Sequence, residues 1–384
     1  MKIAVVANSA WYVANFRLAL MVALREQGHE VVAISGGDGD VARITAAGFR
    51  HCAIPLSGSS TRLLGEFRAL WALRGALREE RVDLALSYTP KGNIYTALAR
   101  RVATCRQVAN VSGLGSSFIR QDWVTHLVHG LYRIAFRRVD LVLFQNNDDR
   151  QIFVDAGLTD PATSERIPGS GVDLRHFMFT SLPSQAGNAT LAFLMIARLL
   201  GDKGVREYAA AARLLRERYP TVRCQLLGKL GADNPSAIEP AELDDWVAAG
   251  DIDYLGYHND VRPYIDAATC VVLPSYREGV PRTLLEAAAM GRPIITTDVP
   301  GCRDTVDNGR NGLLCSARDV ESLTDAMERF VEMSDAQRAA MGEHSRRKME
   351  TEFSDTIVID RYLRAVDTLR GSRAIPDREP APFV

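Results

Sequence analysis

The stretch Leu191–Leu227, LAFLMIARLLGDKGVREYAAAARLLRERYPTVRCQLL, decides the fold. It opens with a continuous apolar run, Leu191–Ile196, of strand length, followed by a glycine-bearing turn over Arg198–Gly204. Val205–Tyr219 then repeats apolar residues at helical spacing, and Val222–Leu227 is a second apolar run. Unbroken apolar runs on either side of one amphipathic helix predict a βαβ unit, since parallel strands are covered on both faces and need a long crossover. The same alternation continues downstream through the runs Ile252–Leu255, Cys270–Pro274 and Ile294–Thr297, with a helical pattern over Arg282–Met290. Upstream it recurs as Ile3–Ala7, Val31–Ser35, Cys52–Leu56, Leu84–Tyr88, Val108–Val111 and Leu141–Gln145. Two successive α/β domains follow, each a doubly wound parallel sheet. Their join falls in the Gly-, Pro- and Ser-rich stretches Pro168–Val172 and Pro183–Gly187, which divides the chain into residues 1–180 and 181–355. A last helix covers residues 356–372, and the tail 373–384, with three prolines after Arg373, reads as frayed.

A chain of 384 residues with 47% hydrophobic and 24% charged residues exceeds one core and is ordinary globular material. Its net charge of −1 gives no support to nucleic-acid binding. The charge is uneven: residues 1–184 carry 21 Lys and Arg against 16 Asp and Glu, and the rest 25 against 31, so the front half suits an anionic surface. The six cysteines form no C-x-x-C pair and sit mostly in apolar runs, which reads as reduced, buried thiols. The opening apolar run is too short for a signal peptide and no stretch is long enough to span a bilayer, so the expected location is cytoplasmic.

Three loops carry candidate chemistry. Asn8–Arg17 leaves the first strand for a helix but lacks the glycines of G-x-G-x-x-G, which counts against a dinucleotide oxidoreductase. Asn8, Ser9, Asn15 and Arg17 are candidate cleft residues, with helix capping by Asn8 or Ser9 an equal alternative. Arg198 and Lys203, at a strand end before a helix, suit a diphosphate, with two solvated cations as the plain alternative. In Pro274–Glu286 the helix is expected to start near Pro281 and Arg282, so Glu278 lies in the loop and Glu286 in the second turn. Both can then face one extended ligand over the helix N-terminus, where the amides of Val280 to Thr283 favour a phosphate, with solvated surface carboxylates as the plain alternative. Carboxylates at both ends and cations in the middle match a nucleotide sugar.

At these residues the chain resembles the family 4 glycosyltransferases of the GT-B fold, with Arg198 and Lys203 as R-x4-K and Glu278 and Glu286 as E-x7-E. The resemblance implies two Rossmann-like domains facing across a cleft and a C-terminal helix crossing back to the first. It implies donor binding by Arg198, Lys203, Glu278, Gly279, Val280, Pro281, Arg282 and Glu286. Arg198 and Lys203 would hold the diphosphate, Glu286 the ribose and Glu278 the transferred sugar, so that Arg198, Lys203 and Glu278 carry the catalysis. Transfer with retention, without metal or cofactor and with the UDP-sugar as substrate, is the implied reaction.

The front motifs Asn8–Tyr12, Asn15–Arg17, Tyr88–Asn93 and Asn110–Gly115 look like the bacterial branch that extends undecaprenyl-diphosphate-linked sugars, with N-acetylgalactosamine favoured. Where many relatives place a His, this chain reads Asn110-Val-Ser-Gly; Asn110, Ser112 or Lys91 takes its role, or none is needed. His126 and His129 have no third ligand and read as packing or surface positions. Basic residues interleaved with aromatics and leucines over Arg62–Arg81 and Phe118–Arg138 suggest peripheral docking on the anionic cytoplasmic face of the inner membrane, beside a half-buried helix as the alternative. A UDP-sugar 2-epimerase of similar fold and a non-catalytic nucleotide-sugar-binding module are the competing functions.

Overall fold

A strand buried on both faces must be apolar along its whole length, and the chain builds two sheets of such strands. The computed structural model describes residues 1–56, 63–103, 105–114, 123–137, 139–183, 190–231 and 234–371. Arg62, Ser184–Gly187, the stretch Phe118–Asp122, Arg138, the side chains of His126 and His129 and the tail 373–384 lie outside the described residues.

In the first domain β1 (Lys2–Val6), β2 (Glu30–Ser35), β3 (Arg50–Ala53), β4 (Leu84–Tyr88), β5 (Arg106–Val111), β6 (Leu141–Phe144) and β7 (Ser164–Arg166) form one sheet. Its order is β3-β2-β1-β4-β5-β6-β7, and the register is parallel, with Val5 beside both Ala33 and Leu86. In the second, β8 (Ala192–Ile196), β9 (Arg223–Leu227), β10 (Asp253–Tyr254), β11 (Cys270–Leu273), β12 (Ile294–Thr297) and β13 (Gly312–Cys315) run in the order β10-β9-β8-β11-β12-β13. The strand order reverses between β1 and β4 and again between β8 and β11. Such switch points open crevices beyond the carboxyl ends of the strands, where ligands bind.

The helix Val205–Arg218 shows why the second sheet is covered. It buries Val205, Tyr208, Ala209, Ala212 and Leu215, a stripe at three- and four-residue spacing, on the sheet face that carries Phe193, Cys224 and Leu226. The helix Asp355–Gly371 returns to the first domain and buries Val358, Tyr362 and Val366 among Ile3, Val5 and Leu86. Where it leaves the second domain it crosses the interdomain connection: Asp355 N–H donates to Val172 C=O at 3.0 Å and Val172 N–H to Phe353 C=O at 2.9 Å. Gly171 is required at this crossing, since its φ is +75° and a Cβ would stand 2.5 Å from Asp355 Cα.

Three differences from the sequence expectation concern sheet edges. The third strand is Arg50–Ala53, earlier than the apolar Cys52–Leu56. The strands β7 and β13 were not anticipated; each has one hydrogen-bonded neighbour in the sheet order and is only three or four residues long.

Candidate active site

The turn Gly201–Lys203 follows β8 and is tied to the loop after the adjacent strand β11. Tyr276 N–H donates to Asp202 C=O at 3.0 Å, and the Ser275 hydroxyl stands 3.1 Å from the same oxygen. Gly204, at φ +76°, lets the next helix start against this loop, because a Cβ there would stand 2.1 Å from Pro274 C=O. The turn therefore carries Lys203 to Glu278: the ammonium bonds Glu278 Oε1, which also accepts from Ser275 Oγ at 2.8 Å. Both side chains are mostly buried, at 19% and 15% exposure. Arg198 lies at the mouth of the same switch point, exposed and without an ion pair to a described residue. The two sequence motifs thus meet, through Lys203 and Glu278, between β8 and β11.

Glu286 lies in the second turn of the helix Arg282–Ala289 and is buried to 8% exposure. Its carboxylate is 2.7 Å from Arg282 Nε. Burial pushes its pKa above the ordinary carboxylate value, against the opposing pull of Arg282. Pro281 caps that helix and is buried. The expectation of a free amide row from Val280 onward needs one correction: Val280 N–H is already donated to Gln145 Oε1 of the first domain at 3.2 Å. Gly279 is pressed against the first domain as well, since a Cβ on it would stand 2.2 Å from Ser112 C=O.

The front-domain candidates fare unevenly. Arg17 does not line the cleft: it is 1% exposed, because its guanidinium lies 4.2 Å from the centre of the Tyr88 ring and is flanked by Tyr12 and Tyr362 at 5.7 and 5.8 Å. Its Nη2 donates to Tyr12 Oη and Ser170 Oγ at 3.1 and 3.3 Å. Ser9 caps its helix by accepting from Tyr12 N–H at 3.2 Å, so the capping alternative holds there. Asn15 uses its side chain locally, donating to Trp11 C=O at 2.8 Å and accepting from Arg43 at 3.0 Å, while its backbone carbonyl accepts from Arg282 across the cleft. Asn8 is half-buried beside Gly36. Lys91 is 2.7 Å from Glu66 on the neighbouring helix. Asn110 is fully buried beside Tyr362, and its side-chain amide lacks a hydrogen bond of good geometry. Ser112 is half-buried at the seam against Gly279.

Sequence reasoning missed Gln145, Asn146 and Asp149, which reach the Glu278 loop from the first domain. Their only readable signal is the cap: Asn146 follows a strand and precedes a helix with Asp148 and Asp149 in its first turn. Among the described residues, no group of three His, Cys, Asp or Glu is placed to hold a metal ion.

Residues 190–333 match the glycosyl transferases group 1 family, and residues 13–169 match the glycosyl transferase 4-like domain. The N,N'-diacetylbacillosaminyl-diphospho-undecaprenol alpha-1,3-N-acetylgalactosaminyltransferase of Campylobacter jejuni is 26% identical over 382 residues, covering 96% of this chain and 98% of that one. The UDP-Gal:alpha-D-GlcNAc-diphosphoundecaprenol alpha-1,3-galactosyltransferase of Escherichia coli is 24% identical over 289 residues, covering 73% and 74%. Two solved structures share the fold at low identity. Anabaena HepE in complex with UDP-glucose aligns with a TM-score of 0.77 at 16% identity, over 96% of this chain and 100% of that one. The sucrose-phosphate synthase of Thermosynechococcus elongatus aligns with a TM-score of 0.79 at 18%, over 97% and 100%. With both domains matched by their own families and the whole arrangement shared with these structures, the chain belongs to the family 4-like, group 1 glycosyltransferases of the GT-B fold.

Proposed function

We propose that the protein moves an N-acetylhexosamine, with N-acetylgalactosamine favoured, from UDP to a hydroxyl of a sugar carried on polyprenyl diphosphate, with retention of anomeric configuration. The observation that carries the reading is the contact of Lys203 with Glu278 at the switch point of the second sheet, which unites the cation motif and the carboxylate motif in one site. The names of the two relatives above, both acting on diphosphoundecaprenyl-linked sugars, support the acceptor class, and the second supports UDP.

In this reading Arg198 and Lys203 bind the donor diphosphate, Glu278 accepts from hydroxyls of the transferred sugar and Glu286 from the ribose. The acceptor hydroxyl attacks the anomeric carbon from the face of the leaving group. As the bond from that carbon to the phosphate oxygen breaks, the leaving phosphate takes the acceptor's proton, and Arg198 and Lys203 stabilise the charge that grows on it. Lys203 is preorganised for this because Glu278 and the turn Gly201–Lys203 already hold it in place. Donor binding shares its ammonium between Glu278 and phosphate, and Glu286 exchanges part of its contact with Arg282 for ribose hydroxyls. No protein nucleophile, metal or cofactor enters the scheme.

An acceptor embedded in a bilayer calls for a protein surface that meets it, and the helix Leu63–Glu79 has the form for one. Its stripe Ala69, Leu73 and Leu77 is buried against the first sheet. The opposite stripe is also apolar, with Leu64, Phe67 and Trp71 exposed at 87%, 62% and 63%. Arg68 and Arg78 flank it, and Arg74 stacks on Trp71 at 4.7 Å. A helix apolar on both sides with basic flanks fits peripheral contact with anionic headgroups. Among the described residues no helix is long and apolar enough to cross a membrane.

Thermal shift against a panel of nucleotides tests the donor. A ligand at a hundred times its Kd stabilises the folded state by about 2.7 kcal/mol. UDP and one UDP-sugar are expected to raise Tm. A rise with GDP or ADP compounds alone overturns the donor, and no rise with any nucleotide overturns the reading.

A further inference from the structure

The Glu278 carboxylate is held within its own domain by Lys203 and Ser275, but the main chain around it takes most of its hydrogen bonds from the other domain. Within the second domain the main chain of Arg277–Val280 receives one hydrogen bond, from Glu278 N–H to Pro300 C=O at 3.2 Å. The other main-chain hydrogen bonds of these four residues, among the described residues, come from the first domain. Asn146 Nδ2 donates to Gly279 C=O at 3.0 Å and reaches Glu278 C=O at 3.4 Å. Gln145 Oε1 accepts from Val280 N–H at 3.2 Å. The guanidinium of Arg277 pairs with Asp149 Oδ1, and the other oxygen of that carboxylate is 3.2 Å from Asn146 Nδ2.

These first-domain groups are fixed before they reach the seam. Asn146 and Asp149 are fully buried and Gln145 is 4% exposed. Asn146 Oδ1 accepts from Asp149 N–H at 2.7 Å as the cap of the helix Asn147–Asp155, which aims its amide nitrogen outward. Glycines let the two domains meet at backbone distance: a Cβ on Gly279 would overlap Ser112 C=O, and one on Gly113 would stand 3.0 Å from Gly279 N; from within the second domain, one on Gly301 would stand 2.4 Å from Glu278 C=O. The loop is therefore clasped between the end of β6 and Gly301. If the domains part, two carbonyls, one N–H and one guanidinium on either side of Glu278 lose their partners together.

We propose that Gln145, Asn146 and Asp149 are positioning residues that hold the backbone of the Glu278 loop from the opposite domain. This rests on the reading of Glu278 as the residue that meets the transferred sugar. The first domain then helps to complete the donor-sugar site of the second. None of the three reaches the donor diphosphate in this account, so they act through Glu278.

The test separates positioning from folding. Asn146→Ser keeps a hydroxyl able to cap the helix but removes the amide that holds the Glu278 loop. Gln145→Met removes the acceptor of Val280 N–H at nearly constant volume and leaves the cap untouched. For each variant, Tm, UDP affinity by calorimetry and steady-state kcat and KM are measured on the full chain. The expected result is a fall in kcat of about 10- to 100-fold with UDP affinity within twofold of wild type and Tm within about 3 °C. Wild-type kcat in both variants overturns the proposal, as does a loss of kcat matched by an equal loss of UDP affinity or of folded protein. The wild-type control keeps the two readings apart: a wild type that binds no nucleotide and transfers no sugar refutes the proposed function itself.

Discussion

Lys203→Met removes one charge and keeps most of the side-chain volume, so its effect isolates the ammonium. Lys203 is 19% exposed, which makes an effective dielectric near 20 appropriate, and two unit charges about 4 Å apart then attract by about 4 kcal/mol. In the free protein that attraction is directed at Glu278, so only the charge that grows on the leaving phosphate counts toward catalysis. A growth of roughly half to one unit gives about 2–4 kcal/mol, in line with the ~10² to 10³ in rate typical of losing one preorganised partner. Stability responds far less, because Glu278 retains the Ser275 hydroxyl at 2.8 Å. A Tm loss of about 2–4 °C is expected from a pair worth about 1 kcal/mol. The assay is initial-rate transfer from a UDP-sugar, with melting curves on the same preparations and the cycle completed by Glu278→Gln and the double variant. Since both residues serve one site, the double variant is expected to lose much less than the product of the single losses. A kcat/KM within threefold of wild type refutes the assignment of Lys203 to the leaving diphosphate.

Gly204→Ala places a Cβ in a left-handed residue and against Pro274 C=O; a loss of about 3 kcal/mol or more is expected, read as a fall in Tm of at least about 6 °C, and an unchanged Tm contradicts the close approach. Glu286 has a pKa raised by burial above its ordinary 4.5, so its contribution to stability is full below that value and is lost as pH rises through the folded-state pKa. The stability of Glu286→Gln relative to wild type should therefore improve from pH 4 toward pH 8 while transfer activity falls; a pH-independent difference in Tm refutes the buried-carboxyl account. Replacing Phe67 and Trp71 together by Ser should reduce flotation with anionic liposomes and leave turnover of a short-chain, detergent-soluble acceptor intact. Equal recovery of the wild type with neutral and anionic vesicles removes the membrane-docking surface.

How far the sequence could be read follows from where each residue gets its partners. The central strands were legible because burial on both faces leaves an apolar run, as in Phe193–Ile196 and Cys270–Leu273. The edge strands were not. Ser164–Arg166 carries an exposed Glu165 and needs no apolar run, and Arg50–Ala53 is likewise partly exposed, so the apolar residues that follow it drew the expected strand forward. In the site, the motif spacing identified Lys203 and Glu278, but their contact spans two strand ends and appears only once β8 and β11 lie side by side. Arg17 looked like a cleft cation because nothing local announces that Tyr88 and Tyr362 will enclose it. Gln145 reads as the end of a strand and Asn146 and Asp149 as an ordinary helix start, and their second partners belong to the other domain.

The most direct test of the central claim is a product analysis: purified protein, UDP-N-acetylgalactosamine and a polyprenyl-diphosphate-linked monosaccharide in detergent micelles, read by mass spectrometry and by the anomeric coupling of the product. The expected result is a lipid-linked disaccharide carrying one added N-acetylhexosamine in the configuration of the donor, together with free UDP. Inverted linkage, epimerised donor without any transfer, or no turnover across UDP-sugars with this acceptor class would contradict it.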